Sequence, residues 1–352
     1  MNHTDMKKTF AQATIDLAKE GCNVAVVDAD LMRIVGSAAF RDEYPDRYFQ
    51  VGIAEQDLVS TAAGLALTGR MVFATSFSNF ISLRAADQVC NTVCYNNLNV
   101  KVCGIYAGIS SEKNGGTHIS VSDVNLFRAV PGISIIDPGD ANELYQAMKV
   151  AGTTDGPFYL RISKGPMDKL FADDYKFQLG KSLQLREGKD VTLITSGLTT
   201  KFGITACEEL EKRGISVCHI HMPTIKPIDT EAILRAAKDT SMIFTAENHS
   251  IIGGLGSAVS EVVSANCPTR VVRMGINDTF CVGASVAYLS GQHGFSAEKI
   301  VERIKTELAF VSNNDNFITI ILNFRSFSTL LKDNAVLFHV FLSQLSNRWL
   351  HT

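Results

Sequence analysis

The sequence lacks any Cys-x-x-Cys pair, although it has eight cysteines, at positions 22, 90, 94, 103, 207, 218, 267 and 281, and no spacing among them suits a zinc site. In a chain of 352 residues such thiols read as free, mostly buried groups kept in a reducing compartment, and the expected location is cytoplasmic. The opening MNHTDMKKTF has no apolar core of the kind a signal peptide needs. No uncharged apolar run reaches the roughly 18 residues of a membrane-spanning helix. Charged residues make up only 20% of the chain and the net charge is −3, which leaves no basic surface for nucleic acid and no acidic tail. No repeat of short fixed period is present.

What is there is a long alternation of two periods. Residues 6–20 carry apolar side chains at helical spacing and stop at Gly21. The runs 23–28, 47–53, 71–75, 100–107, 134–137 and 158–162 read as strands, and 57–69, 81–96, 123–129 and 141–151 as helices between them. Four further strand candidates, 191–195, 215–221, 242–246 and 269–274, have helices between them. The pattern predicts an α/β protein of two α/β domains with mostly parallel sheets. The expected limits are 1–165 for the first domain, 166–189 for a polar, glycine-bearing linker and 190–310 for the second domain. Residues 311–352 differ: five charges, no glycine, no proline and no clean period, so they read as an atypical tail.

In an open parallel sheet, ligands sit beyond the carboxyl ends of the strands. The stretch Val51-Gly-Ile-Ala-Glu-Gln56 follows one strand and opens an alanine-rich helix; Phe73-Ala-Thr-Ser-Phe-Ser-Asn-Phe80 ends another. Glu55 is therefore expected at the mouth of a helix, with Phe77 and Phe80 at i, i+3 spacing on one face. A carboxylate beside an apolar aromatic cradle suits a flat nitrogenous ring that must be both stacked and protonated. The loops at Asp30, Glu55, Phe77 and His118 all follow strands and can share one rim. His219 and His221, at i, i+2 on a strand, have no third ligand nearby and read as structural; Cys90 and Cys94 read as core thiols.

These motifs carry a resemblance. Asp28-Ala-Asp-Leu31, Gly52-Ile-Ala-Glu-Gln56, Ala74-Thr-Ser-Phe-Ser-Asn-Phe80, Arg84-Ala-Ala-Asp-Gln-Val89, Gly115-Gly-Thr-His118 and Glu247-Asn-His-Ser-Ile-Ile-Gly-Gly-Leu-Gly-Ser257 occur in the order found in the C-terminal half of transketolase. The chain most resembles the separate C-terminal subunit of split transketolases, over residues 6–309. The resemblance implies a pyrimidine-binding domain for thiamine diphosphate, followed by a transketolase C-terminal domain. It implies that Glu55 hydrogen-bonds the cofactor's pyrimidine nitrogen, making the cofactor's own amino group the base, and that Phe77 and Phe80 pack on the pyrimidine. Asp30 and Leu31 match loop residues near the rings. His118 matches a histidine that contacts substrate oxygens, and a neutral or charged imidazole can pass protons near pH 7. Asn114 stands where relatives commonly have an acidic residue, Tyr106 where they have a basic one and Leu83 where they have an aromatic. Lys164 and Arg161 lie where the family holds a phosphate-binding arginine, and Ser37 is a further phosphate candidate.

The family's Gly-Asp-Gly with a following asparagine, which holds the diphosphate and its divalent metal (Mg or Ca), does not occur in this sequence. The resemblance therefore implies a separate N-terminal subunit that supplies those ligands, in a heterotetramer acting on sugar phosphates by two-carbon ketol transfer. Competing readings are a subunit like 1-deoxy-D-xylulose-5-phosphate synthase or a 2-oxoacid dehydrogenase beta chain, and a non-catalytic orphan subunit. The absence of a fused N-terminal half argues against the synthase; the His118 loop argues against the dehydrogenase.

Overall fold

A computed structural model describes residues 5–310. The described residues fall into two units, 5–301 and the helical stretch 302–310. The atypical tail lies outside the described residues.

Twelve strands are present among the described residues: β1 Val24–Asp28, β2 Tyr48–Gln50, β3 Met71–Phe77, β4 Val100–Ile105, β5 Ser134–Ile136, β6 Phe158–Ile162, β7 Leu183–Arg186, β8 Val191–Thr195, β9 Val217–His221, β10 Thr224–Lys226, β11 Ile243–Ser250 and β12 Val271–Ile276. They form a seven-stranded sheet, in the order β10-β5-β6-β4-β3-β1-β2, and a five-stranded sheet, β12-β11-β8-β9-β7. All pairings are parallel except those of the two edge strands β10 and β7. The central strands β1, β3, β4 and β6 are buried along their whole length. That is why their sequences read as continuous apolar runs: both faces are covered by helices.

Local chemistry fixes the helices that cover the first sheet. The Asp5 side chain accepts from the Lys7 and Lys8 amides and starts the helix Met6–Lys19. Its buried residues Met6, Phe10, Ala13 and Leu17 recur at helical spacing and pack in one core with Leu144, Ala147, Met148 and Ala151 of the helix Ala141–Thr153. Asp140 caps that second helix through the Glu143 amide.

Two expectations are corrected, and two further features had no counterpart among them. The long helix expected over 81–96 is two pieces, an α-helix Ser78–Arg84 and a π-helical segment Gln88–Cys94. The strand expected over 47–53 is only Tyr48–Gln50, because the backbone leaves the sheet at Gly52, where φ is +76°. The polar segment 166–189 contributes the edge strand β7 and buries Phe171 and Phe177. Finally, β10 belongs to the first sheet although it lies among second-sheet residues.

Candidate functional site

The carboxyl edge of the first sheet gathers the residues singled out above, because neighbouring parallel strands end side by side. From β2 the chain turns through Gly52 into the helix Glu55–Ala66, so Glu55 occupies its first position. The Gln50 Oε1 accepts from the backbone N–H of both Gly52 (2.9 Å) and Asp30 (2.8 Å), tying the loop after β2 to the loop after β1. Asp30 has φ +63° and is exposed. The Leu31 amide donates to Asp28 Oδ1 at 2.7 Å.

Glu55 is only 3% exposed. Its Oε1 accepts from Ser76 Oγ at 3.0 Å and its Oε2 from Arg84 Nη1 at 3.0 Å. The helix N-terminus adds positive potential at the same place. The slot is therefore not purely apolar as expected; a half-exposed guanidinium closes one side of it. That guanidinium lies 4.1 Å from the centroid of the Phe80 ring, a cation–π contact linking the carboxylate to the aromatic cluster. Phe77 ends β3 and precedes the helix carrying Phe80, and their rings meet edge to face at 5.6 Å. The His118 ring lies 5.6 Å from Phe77 and 4.8 Å from Phe80, and the Tyr106 ring 5.3 Å from Phe77. Asn79 Nδ2 holds the Thr117 carbonyl at 2.7 Å, and Thr117 Oγ1 shares a hydrogen bond of 3.0 Å with His118 Nδ1. Glu55, Phe77, Phe80 and His118 thus form one connected group.

Other predicted residues fall differently. Asn114 is exposed on the same loop, with Nδ2 at 3.3 Å from Ser111 Oγ. Lys164 is half-buried, paired with Glu112 at 2.7 Å and 5.3 Å from the Tyr106 ring centroid. Arg161, expected as a phosphate anchor, is closed off from solvent: it is 1% exposed. Its Nε donates to Asp123 Oδ2 at 2.8 Å, its Nη2 to the Asn248 carbonyl at 2.5 Å, and Nη1 stands 3.5 Å from Asp137 Oδ1. Ser37 is fully buried and donates to Asp28 Oδ2 at 2.8 Å, so its hydroxyl has no free approach to an external phosphate. His219 and His221 are buried and bonded to Thr195, Thr200 and Glu143. Burial drives His219 down to about 3. His249 is buried between Asp123 and Glu247, and burial lowers it to about 4.

Sequence reasoning gave no role to Arg84 or Ser76. The signal for Arg84 is its i, i+4 spacing from Phe80, which puts both on one helical face. Ser76 sits one residue before Phe77, so on a strand it points to the opposite face, toward Glu55. Among the described residues, no group of three or more His, Cys, Asp or Glu is placed to hold a metal, and no helix is long and apolar enough to cross a membrane.

A flat heterocycle fits this group in one respect that can be checked. A carboxylate has about four lone-pair sites, and the two protein bonds to Glu55 leave acceptor capacity for a ring N–H.

Comparison with known proteins places the chain. Residues 2–168 match the transketolase pyrimidine binding domain and residues 180–300 the transketolase C-terminal domain. A 6-deoxy-6-sulfo-D-fructose transketolase subunit of Clostridium sp. (strain MSTE9) is 38% identical over 84% of this chain and 92% of its own length. An apulose-4-phosphate transketolase subunit of Actinobacillus succinogenes is 35% identical over 86% of this chain and 97% of its own. Among solved structures, a split-gene transketolase described as an inactive beta4 tetramer superposes with a TM-score of 0.79 at 34% identity, covering 88% of this chain and 99% of that one.

Proposed function

The chain belongs to the transketolase family, and from that premise we propose that it is the C-terminal subunit of a split transketolase, moving a two-carbon ketol unit between sugars on thiamine diphosphate. The observation that carries the reading is the buried Glu55 carboxylate, bonded to Ser76 and Arg84 and adjoining the Phe77, Phe80 and His118 rings.

In this reading the domain limits are those expected above: a pyrimidine-binding domain at 1–165, a linker at 166–189 and a C-terminal domain at 190–310. Phe77 and Phe80 stack the pyrimidine, and Glu55 takes a hydrogen bond from its ring nitrogen. Asp30 and Leu31 border the same ring system. When bound, thiamine diphosphate supplies a stabilised carbanion that accepts and releases the two-carbon unit. His118, half-buried among aromatic rings, donates to or accepts from substrate oxygens, and its neighbour Thr117 orients the ring. Asn114 reads a sugar hydroxyl without adding charge. The relatives above are named for a sulfonated and a phosphorylated sugar, each ending in an anion. Lys164 is the cation we assign to such a terminus; Arg161 and Ser37 are withdrawn from that role.

The diphosphate and its divalent metal are held by a separate N-terminal subunit, and the assembly is a heterotetramer with its sites at subunit boundaries. Both relatives are named as subunits, which supports this. The eight free thiols favour a reducing, cytoplasmic setting. Xylulose 5-phosphate and ribose 5-phosphate are the first donor and acceptor to try, as for an enzyme of the pentose phosphate pathway.

The test is co-expression with the N-terminal subunit and a coupled ketol-transfer assay on wild type and Glu55→Gln. The variant is expected to assemble normally and to lose about 100-fold or more in kcat. Near-wild-type turnover in that complex would end the assignment.

A further inference from the structure

The segment bearing Asn114 and His118 leaves the first sheet at the end of β4, where the Ala107 N–H donates to the Ile162 carbonyl at 3.1 Å, and its backbone is fastened by the second sheet as well. Asn248, near the carboxyl end of β11 and 1% exposed, grips the start of the segment with both ends of its amide. Its Oδ1 accepts from the Ile109 N–H at 2.8 Å and its Nδ2 donates to the Ala107 carbonyl at 3.1 Å. Between them Gly108 has φ +54°, and a Cβ there would lie 2.2 Å from Asn248 Oδ1, so only glycine admits the clasp. At the far end, the Ser250 N–H donates to the Val121 carbonyl at 3.1 Å. In the middle, the turn after β12 presses on the glycines that precede His118. A Cβ on Gly116 would sit 2.7 Å from the Cys281 carbonyl oxygen, and one on Gly283 would sit 2.9 Å from the Lys113 carbonyl oxygen. Asn248 is itself fixed, because its carbonyl accepts from Arg161, which Asp123 holds.

The His118 imidazole therefore receives its position from two directions. The first sheet supplies the rings it packs on and the Asn79 contact to Thr117. The second sheet supplies the backbone path that delivers it there. We propose that Asn248 is a positioning residue for the sugar-contacting loop, so that the C-terminal domain sets substrate geometry through a two-point amide clasp on residues 107–109. The proposal rests on the reading that His118 meets the sugar. The pyrimidine slot around Glu55 is built from residues 50–84 and does not depend on the clasp.

Two measurements separate the clasp from the function it serves. The first is hydrogen exchange on the chain alone, comparing wild type, Asn248→Ala and Asn248→Asp. Asn248→Ala is expected to speed exchange of amides within 108–121 by roughly 10- to 100-fold, with peptides covering 55–84 unchanged. Asn248→Asp keeps the acceptor for the Ile109 N–H but, when ionised, sets a buried carboxylate against the Ala107 carbonyl, so it is expected to loosen the segment at least as much. Gly283→Ala, which presses on the Lys113 carbonyl from the turn after β12, is expected to loosen the same segment. The second measurement uses the complex with the N-terminal subunit and thiamine diphosphate. There the Asn248 variants raise KM for the donor ketose phosphate about tenfold while the cofactor Kd stays at the wild-type value. Unchanged exchange over 108–121, or exchange raised evenly along the whole chain, overturns the clasp. Local loosening with an unchanged KM overturns its role in substrate geometry. A wild-type complex that fails to bind thiamine diphosphate speaks instead against the pyrimidine reading and leaves the exchange result standing.

Discussion

Replacing Arg161 by leucine isolates what the buried cation does. The side chain is 1% exposed and faces two carboxylates that are themselves buried, Asp123 at 2.8 Å and Asp137 at 3.5 Å. Burial pushes the Asp123 carboxyl upward, but the charge of Arg161, then that of His249, pulls it net below the usual carboxylate range. At Asp137, farther from the guanidinium, burial wins and the carboxyl is raised. Leucine removes the compensating charge and leaves Asp123 with the Tyr159 hydroxyl at 2.7 Å and the His249 imidazole at 3.8 Å, and Asp137 with the Ser196 hydroxyl at 2.8 Å. Breaking one member of a buried pair costs about 3–5 kcal/mol, equivalent here to a fall in melting temperature on the order of 10 °C. The sign of the pH dependence follows. In wild type the Asp123 pKa is depressed, so its contribution is present above the ordinary carboxylate pKa and lost as pH falls. In the variant the same carboxyl moves above its unfolded value, so folding is weakened as pH rises. The difference between the two proteins must therefore widen from pH 5 to pH 7.5. Urea unfolding at both pH values measures it, with Asp123→Asn in the Arg161→Leu background recovering part of the loss. A penalty under about 1 kcal/mol, or a stable variant whose only defect is a raised KM for phosphorylated sugars, would refute the buried-network account and restore Arg161 as an anion anchor.

Two further outcomes are expected. Ser37→Ala removes the buried hydroxyl that donates to Asp28; it should cost about 1–2 kcal/mol in urea unfolding and leave KM for sugar phosphates within about twofold. For His219, burial holds the folded pKa near 3, below its unfolded value, so its contribution is intact above about pH 6.5 and is lost as pH falls toward 3. Between pH 6.5 and 5 the stability gap between wild type and His219→Gln should close by about 2 kcal/mol, and a gap that does not change with pH would show that the imidazole is not held neutral.

The features legible in the sequence are those whose cause is local. β1, β3, β4 and β6 stood out because strands covered on both faces must be apolar throughout. The helix Met6–Lys19 stood out because one face repeats every third or fourth residue. Phe77 and Phe80 are three residues apart at a strand-to-helix junction, so their meeting needs only local geometry. Glu55 and His118 follow strands of one sheet, and the rule that loops gather at its carboxyl edge brings them near. β10 is three residues long and shows no alternation, so its partner β5, nearly ninety positions earlier, is invisible to a periodic reading. The π-helical turn at Gln88–Cys94 leaves apolar spacing close enough to α-helical to pass for one long helix.

Arg161 shows why charge assignment fails where shape assignment succeeds. Its position beside Lys164 at the end of β6 is the same whether the side chain meets solvent, phosphate or carboxylates. What decides is the distribution of counter-charges: Asp123 lies 38 residues away, and Asn248, whose carbonyl it also meets, 87 residues away on the other sheet. A buried cation is tolerable only with such partners, and no local pattern announces them. The same long-range closure makes the second sheet matter to the site. Asn248 takes the Arg161 guanidinium on its carbonyl and the 107–109 backbone on its side-chain amide, so the buried ion cluster and the His118 loop are joined at one residue. A change that loosens the cluster is then expected to be felt at His118 before it is felt at Glu55, whose own supports, Ser76 and Arg84, lie within thirty positions of it and on the first sheet's side of the molecule.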